Sequence, residues 1–155
     1  MKYLKIFELN ENEKQWKSDL LDLSDYFLEI EESSVECDYR VGYKSQRNER
    51  IYFKLSLGEG EMMTGIDGGS PQSIADDMRE LESYLRMGNQ LVLSVDMYLP
   101  YDSQNDTEPY CGVKTLEKFS EILRVYNSAK KKMPGYKSIV NVVSMRRIEI
   151  LFYKL

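Results

Sequence analysis

Histidine is absent from all 155 residues. Its absence removes the side chain most often used as a general base near neutral pH and most often used to hold a metal. Ser-His-Asp triads, Cys-His dyads and mixed Cys/His zinc sites are thereby excluded. Cysteine is scarce, with only Cys37 and Cys111, and neither sits in a CxxC spacing. Cys37 falls on the apolar side of a predicted strand and reads as a buried free thiol, whereas Cys111 lies in a polar loop. Nothing in that usage supports a disulfide, and a reducing cytoplasm is the expected compartment. No apolar run approaches the length that crosses a bilayer, and Glu8 interrupts the first residues before a secretory core could form. A membrane partner is not expected, nor is a cofactor or a metal. The net charge of −5 argues against nucleic acid held by bulk charge. Basic residues gather only at Lys44, Arg47 and Arg50, at Lys130 to Lys132, and at Arg146 and Arg147, where solvated loops and helix ends account for them.

What is present is periodic. Trp16, Leu20, Leu23, Phe27 and Ile30 recur at steps of four and three, which predicts an amphipathic helix over 11–31 with Asn10 and Glu13 as a capping box. Val35 to Tyr43 and Ile51 to Leu57 alternate with period two and predict an antiparallel hairpin across the polar turn 44–50. Ser70 and Pro71 start a helix that Gly88 ends, and Leu91 to Leu99 alternate as a third strand. Thr115 is placed to cap a further helix that Pro134 and Gly135 stop, and two β-branched segments, 138–143 and 147–153, close the chain. Residues 2–8 alternate weakly, as a short strand or an arm covering 1–9. The whole reads as one α+β domain over 1–155, a two-layer sandwich with helices on one face of an antiparallel sheet. A βαββαβ (ferredoxin-like) order with a C-terminal αββ extension is the specific topology expected.

Four places could carry function. The glycine-rich segment 58–69 lacks the Gly-Lys-Ser/Thr of a phosphate-binding loop, and Glu59, Glu61 and Asp67 would repel a phosphate, so it reads as a connection. Alternation puts Asp38, Arg40, Tyr52, Lys54, Ser94, Asp96 and Tyr98 on the sheet face opposite the core. Of these, Asp38, Arg40, Tyr52, Lys54 and Asp96 form the candidate set for a nucleotide ligand. Asp38, Asp96 and Glu149, or Asp76 and Asp77, are carboxylates that could hold magnesium, although acids early in a helix also suit its dipole. Tyrosine is abundant, with 12 in the chain, and Tyr98, Tyr101 and Tyr110 flank the long loop 100–113. Tyrosine buries contact area at low entropy cost, so these three with Glu59 and Glu61 form the candidate protein-binding surface.

The opening Met1-Lys2-Tyr3-Leu4-Lys5-Ile6-Phe7-Glu8, followed by an acidic helix carrying Leu20-Leu21-Asp22-Leu23, resembles small proteins of large tailed bacteriophages that begin MKxxKxFE. Ile6-Phe7-Glu8 is also similar to sites cut by phage head-maturation proteases. The resemblance implies expression in a host bacterial cytoplasm, or packaging in a virion, and assigns no catalytic residue. The expectation is a non-enzymatic interaction protein that binds a bacterial host protein, as an inhibitor of host defence. A nucleotide or nucleotide-signal sponge, a virion or assembly component, a magnesium-dependent enzyme using carboxylates, and a homo-oligomer are the alternatives.

Overall fold

A computed structural model describes residues 15–58, 63–66, 70–100 and 112–155. Helix α1 runs over residues 15–26, turns at Phe27, and continues as the short α2 (Leu28–Glu32). Strands β1 (Glu36–Lys44) and β2 (Ile51–Leu57) form the expected hairpin. A three-residue strand, β3 (Met63–Gly65), follows inside the glycine-rich segment and pairs with β2, so that segment is more than a connection. Helix α3 (Pro71–Arg86) starts where Ser70 accepts from the Ser73 amide, as its sequence requires, and Gly88 takes φ 90° beyond its end. Strand β4 (Gln90–Tyr98), helix α4 (Val113–Lys132) and the strands β5 (Tyr136–Ser144) and β6 (Arg147–Lys154) complete the chain. Gly112, not Thr115, is the N-cap of α4, and Thr115 is buried one turn inside.

The strands form one antiparallel sheet ordered β3-β2-β1-β4-β6-β5. Every described pairing is antiparallel. The fold is thus α+β in two layers, as the periodicities required. The strand order corrects the ferredoxin-like expectation. That motif would seat the 2–8 segment beside β4, but β4 is flanked by β1 and β6, which leaves neither edge free. The strands of the αββ extension join the same sheet. Residues 2–8, like the arm over 1–9, lie outside the described residues.

The core sits between the layers. Tyr39, Val41, Tyr43, Leu93, Val95, Met97, Ile148, Ile150 and Phe152 supply the sheet side. Trp16, Leu20, Leu23, Phe27 and Ile30 meet them from α1 and α2, and Ile122, Val125, Tyr126 and Ala129 from α4. Fully burying such side chains contributes about 1.5–3 kcal/mol each, which is why the helical stripe and the strand alternation decide the layering. α3 contributes Leu81 and covers β1, β2 and β3.

One irregularity changes which residues face where. Val41 pairs with Leu55, but Gly42 pairs with Phe53, so Lys54 is an extra residue in β2. Such a bulge reverses side-chain parity along the rest of the strand. It also explains Gly42: a Cβ there would stand 2.0 Å from the Tyr52 carbonyl oxygen and 2.6 Å from the Phe53 Cα. Only glycine permits that approach.

Candidate functional site

Directly opposed residues on adjacent antiparallel strands share a face. The pairings therefore lay out the open face of the sheet in rows. Asp38, Asp96 and Glu149 are opposed across β1, β4 and β6. Arg40, Ser94 and Leu151 form the next row on one side, and Glu36, Tyr98 and Arg147 the next on the other. Three carboxylates side by side would repel, and the two arginines of the flanking rows resolve the conflict by converging on the middle acid.

Asp96 is the hub. It is 1% exposed and accepts from four donors. Arg147 approaches in fork geometry, with Nε at 2.9 Å from Oδ1 and a terminal nitrogen at 2.8 Å from Oδ2. Arg40 donates to Oδ2 at 2.8 Å and the Tyr98 hydroxyl donates to the same atom at 3.2 Å. Arg40 also lies 3.6 Å from Asp38 and 3.8 Å from Glu149. Its guanidinium covers the Phe53 ring at 4.7 Å, and that of Arg147 covers Tyr98 at 5.5 Å. Both are cation–π contacts. The hydrogen bonds and charge of Asp96 hold the Arg147 guanidinium above its usual range. Desolvation raises the Asp38 carboxyl, and Arg40 opposes that rise. Desolvation, and then the Asp96 charge, push the Tyr98 phenol up.

This arrangement orients its own side chains. Asp96 is buried and accepts from donors on three residues, so it serves to fix Arg40, Arg147 and Tyr98 in place. No group of three or more cysteine or acidic residues among the described residues is placed to hold a metal. What the cluster presents outward is an acidic and aromatic rim. Tyr98 is 42% exposed, and the side chains of Asp38 and Glu149 remain partly exposed.

The structure divides the residues singled out from sequence. Asp38, Arg40, Asp96 and Tyr98 are together. Tyr52 and Lys54 are not with them, because the bulge turns them the other way. Tyr52 stacks on Tyr43, which stacks in turn on Tyr84 of α3, with ring centroids 5.4 Å and 4.3 Å apart. Lys54 forms an ion pair with Glu80 of α3 at 3.0 Å. Phe53, expected in the core, takes the vacated place under Arg40. Tyr101, Tyr110, Glu59 and Glu61 lie outside the described residues, as does Cys111. Asp76 pairs with Arg79 on the exposed side of α3, away from the sheet cluster. Cys37 is half-buried, and burial, reinforced by Glu31, pushes its thiol up to about 12, so it stays protonated.

Arg147 is the member of the cluster that sequence reasoning misses, since beside Arg146 it reads as part of a solvated basic pair, whereas Glu149 is already grouped there with Asp38 and Asp96. The alternation of Arg147 and Glu149 with Ile148 and Ile150 marks them as sharing one face, but which neighbour that face meets depends on β6 pairing with β4. A cleft of about 610 Å³ lies elsewhere, among Trp16, Leu85, Leu91, Tyr136 and Lys154, and none of the singled-out site residues lines it. No helix among the described residues is long and apolar enough to cross a membrane. Comparison with known proteins finds no matching family model, no matching curated protein and no matching solved structure.

Proposed function

We propose that this chain acts by binding a protein partner through the Tyr98 end of the open sheet face, without turnover. The observation that carries this reading is the convergence of Arg40, Arg147 and Tyr98 on the buried Asp96. Four donors spent on one buried carboxylate give a rigid surface on which Tyr98 and Arg147 are already ordered, so little side-chain entropy is lost on contact. Glu36, Asp38, Asp96 and Glu149 outnumber Arg40 and Arg147, four acids to two bases, so the partner it suits carries a basic patch. The N-terminal resemblance makes a bacterial host protein the partner class, and blocking a host defence its consequence.

Affinity capture from bacterial lysate tests this. Wild type should retain a protein that the double variant Tyr98→Ala, Asp38→Lys loses, with far-UV circular dichroism unchanged. Capture that ignores the double variant, or no capture above background, overturns it. The same variants in a thermal-shift screen with nucleotides separate this reading from the nucleotide sponge. Stabilisation by a nucleotide that Arg40→Ala abolishes would favour the sponge.

A further inference from the structure

The two borders of the sheet are unequal. β3 ends it with three residues, whereas β5 ends it with nine. Among the described residues no strand pairs with the outer edge of β5. Natural sheets protect a long edge with charges, proline, a covering element or an early bulge. In β5 the seven residues Ser138 to Ser144 carry no charge and no proline, in a chain that is 30% charged. Its one irregularity comes at the far end, between Val142 and Ser144. Ile139, Val142 and Val143 are exposed large apolar residues along it.

The helix layer ends in the same way. On α4, Val113, Leu116 and Leu123 are exposed and recur at steps of three and seven, one stripe of the helix. The neighbouring elements fix where that stripe points. Tyr126 meets Ser138 of β5 below, with the two hydroxyls 2.6 Å apart. Lys118 donates to the Ser33 carbonyl and Arg124 to Glu29, so the flank with Lys118, Glu121 and Arg124 faces α2. On a helical wheel, Leu116 and Leu123 lie on the opposite flank. That flank overhangs the outer edge of β5. Both layers therefore end in apolar surface on one side of the molecule.

We infer that this side is the interface between two copies of the chain, joined by antiparallel pairing of β5 with β5 and by α4 stripe against α4 stripe. A second copy suits it because the surface is self-complementary, which a two-fold interface demands. With the axis at Val140, which then faces its own copy, Lys137 falls opposite the partner's Val143, so no lysines are opposed. The two layers agree on that axis. It lies about 13 Å along β5 from Tyr136, at roughly 3.3 Å per residue, and about nine helical residues cover the same rise back from Lys132 to reach Leu123. Leu123 thus meets its own copy. The front is about 23 Å long and two layers, about 20 Å, deep. That projected footprint of about 460 Å² per partner is smaller than the roughly 800 Å² of a standard interface and suits a weak, concentration-dependent dimer. This surface is distinct from the Tyr98 end of the open face, and the two readings stand or fall separately.

Sedimentation velocity on the full chain, across about 1–100 µM, tests the inference. Wild type should show a concentration-dependent dimer. Leu123→Glu and Ile139→Lys should each weaken it at least about tenfold, with circular dichroism and Tm retained. Mixing Leu123→Glu with Leu123→Lys should restore a dimer, because opposite charges then meet at the axis; a variant that merely misfolds cannot be rescued in this way. A wild-type monomer at about 100 µM, a dimer indifferent to both variants, or a mixture that fails to associate would each overturn the arrangement.

Discussion

Asp96→Ala is the most informative perturbation of the sheet cluster. Asp96 is 1% exposed and its loss removes four accepted hydrogen bonds at once. Breaking a buried ion pair by deleting one partner costs about 3–5 kcal/mol when the surviving charge is left uncompensated. Here the survivors are partly compensated. The Arg40 side chain is 18% exposed and keeps Asp38 and Glu149 within 4 Å, and the Arg147 side chain is 36% exposed and can rehydrate. The expected loss is therefore about 2–3 kcal/mol, or roughly 5–10 °C in Tm for a domain of this size. Urea titration followed by the emission of the single tryptophan, which is buried, and by far-UV circular dichroism measures it. Added salt should change the difference little, because the pair is screened from solvent. In a double-mutant cycle, Arg147→Ala and Asp96→Ala should be strongly coupled. A loss below about 1 kcal/mol, or additive behaviour in the cycle, would refute the hub.

Other perturbations probe separate features. Gly42→Ala should cost roughly 3 kcal/mol or more, or abolish folding, because its Cβ meets the Tyr52 and Phe53 backbone rather than a side chain that can yield; a mild effect in urea titration would deny the bulge. Asp38 has its folded-state carboxyl pKa raised, chiefly by desolvation, so its ionisation opposes folding above that value and not below the unfolded value near about 3.9. Asp38→Asn should therefore raise the urea midpoint at pH 7 and lose that advantage near pH 3; a midpoint lowered at pH 7 would contradict the sign. On a Cys111→Ser background, Cys37 should react slowly with a disulfide reagent at pH 8 and rapidly in denaturant, as its thiol is pushed up to about 12. Tyr136→Phe should cost about 1–2 kcal/mol in the same titration by removing the hydroxyl that Asp19 accepts from.

The layering was legible because burial imposes period. Trp16 to Ile30 and Leu91 to Leu99 each place their apolar residues on one face, and both lie where that pattern puts them. Hidden from sequence were the features that depend on non-local pairing or on a single residue. The alternation of Ile51 to Leu57 is regular on the page, yet one extra residue, Lys54, reverses half of it, and the sole sign was the glycine at position 42 across the hairpin. Asp38, Arg40 and Asp96 were recognisable because β1 and β4 are regular throughout. Arg147 was not, since its role depends on β6 lying beside β4, a contact between positions some fifty residues apart that no local pattern encodes. The cap of α4 departs from its sequence pattern for a simpler reason. Thr115 has the right chemistry, but Leu116 to Ala129 already fill a helix whose start Gly112 allows one turn earlier.

The unequal borders of the sheet limit how far the molecule can grow. A protein adhesive on both sides would add units without end and build a fibre. Among the described residues β5 offers a neighbour nine residues of edge, while β3 offers three, too few to seat another strand. A union through β5 uses up that rim and leaves the two β3 borders facing outward. The sheet thereby carries its own stop signal, and concentration alone should not drive this chain into filaments.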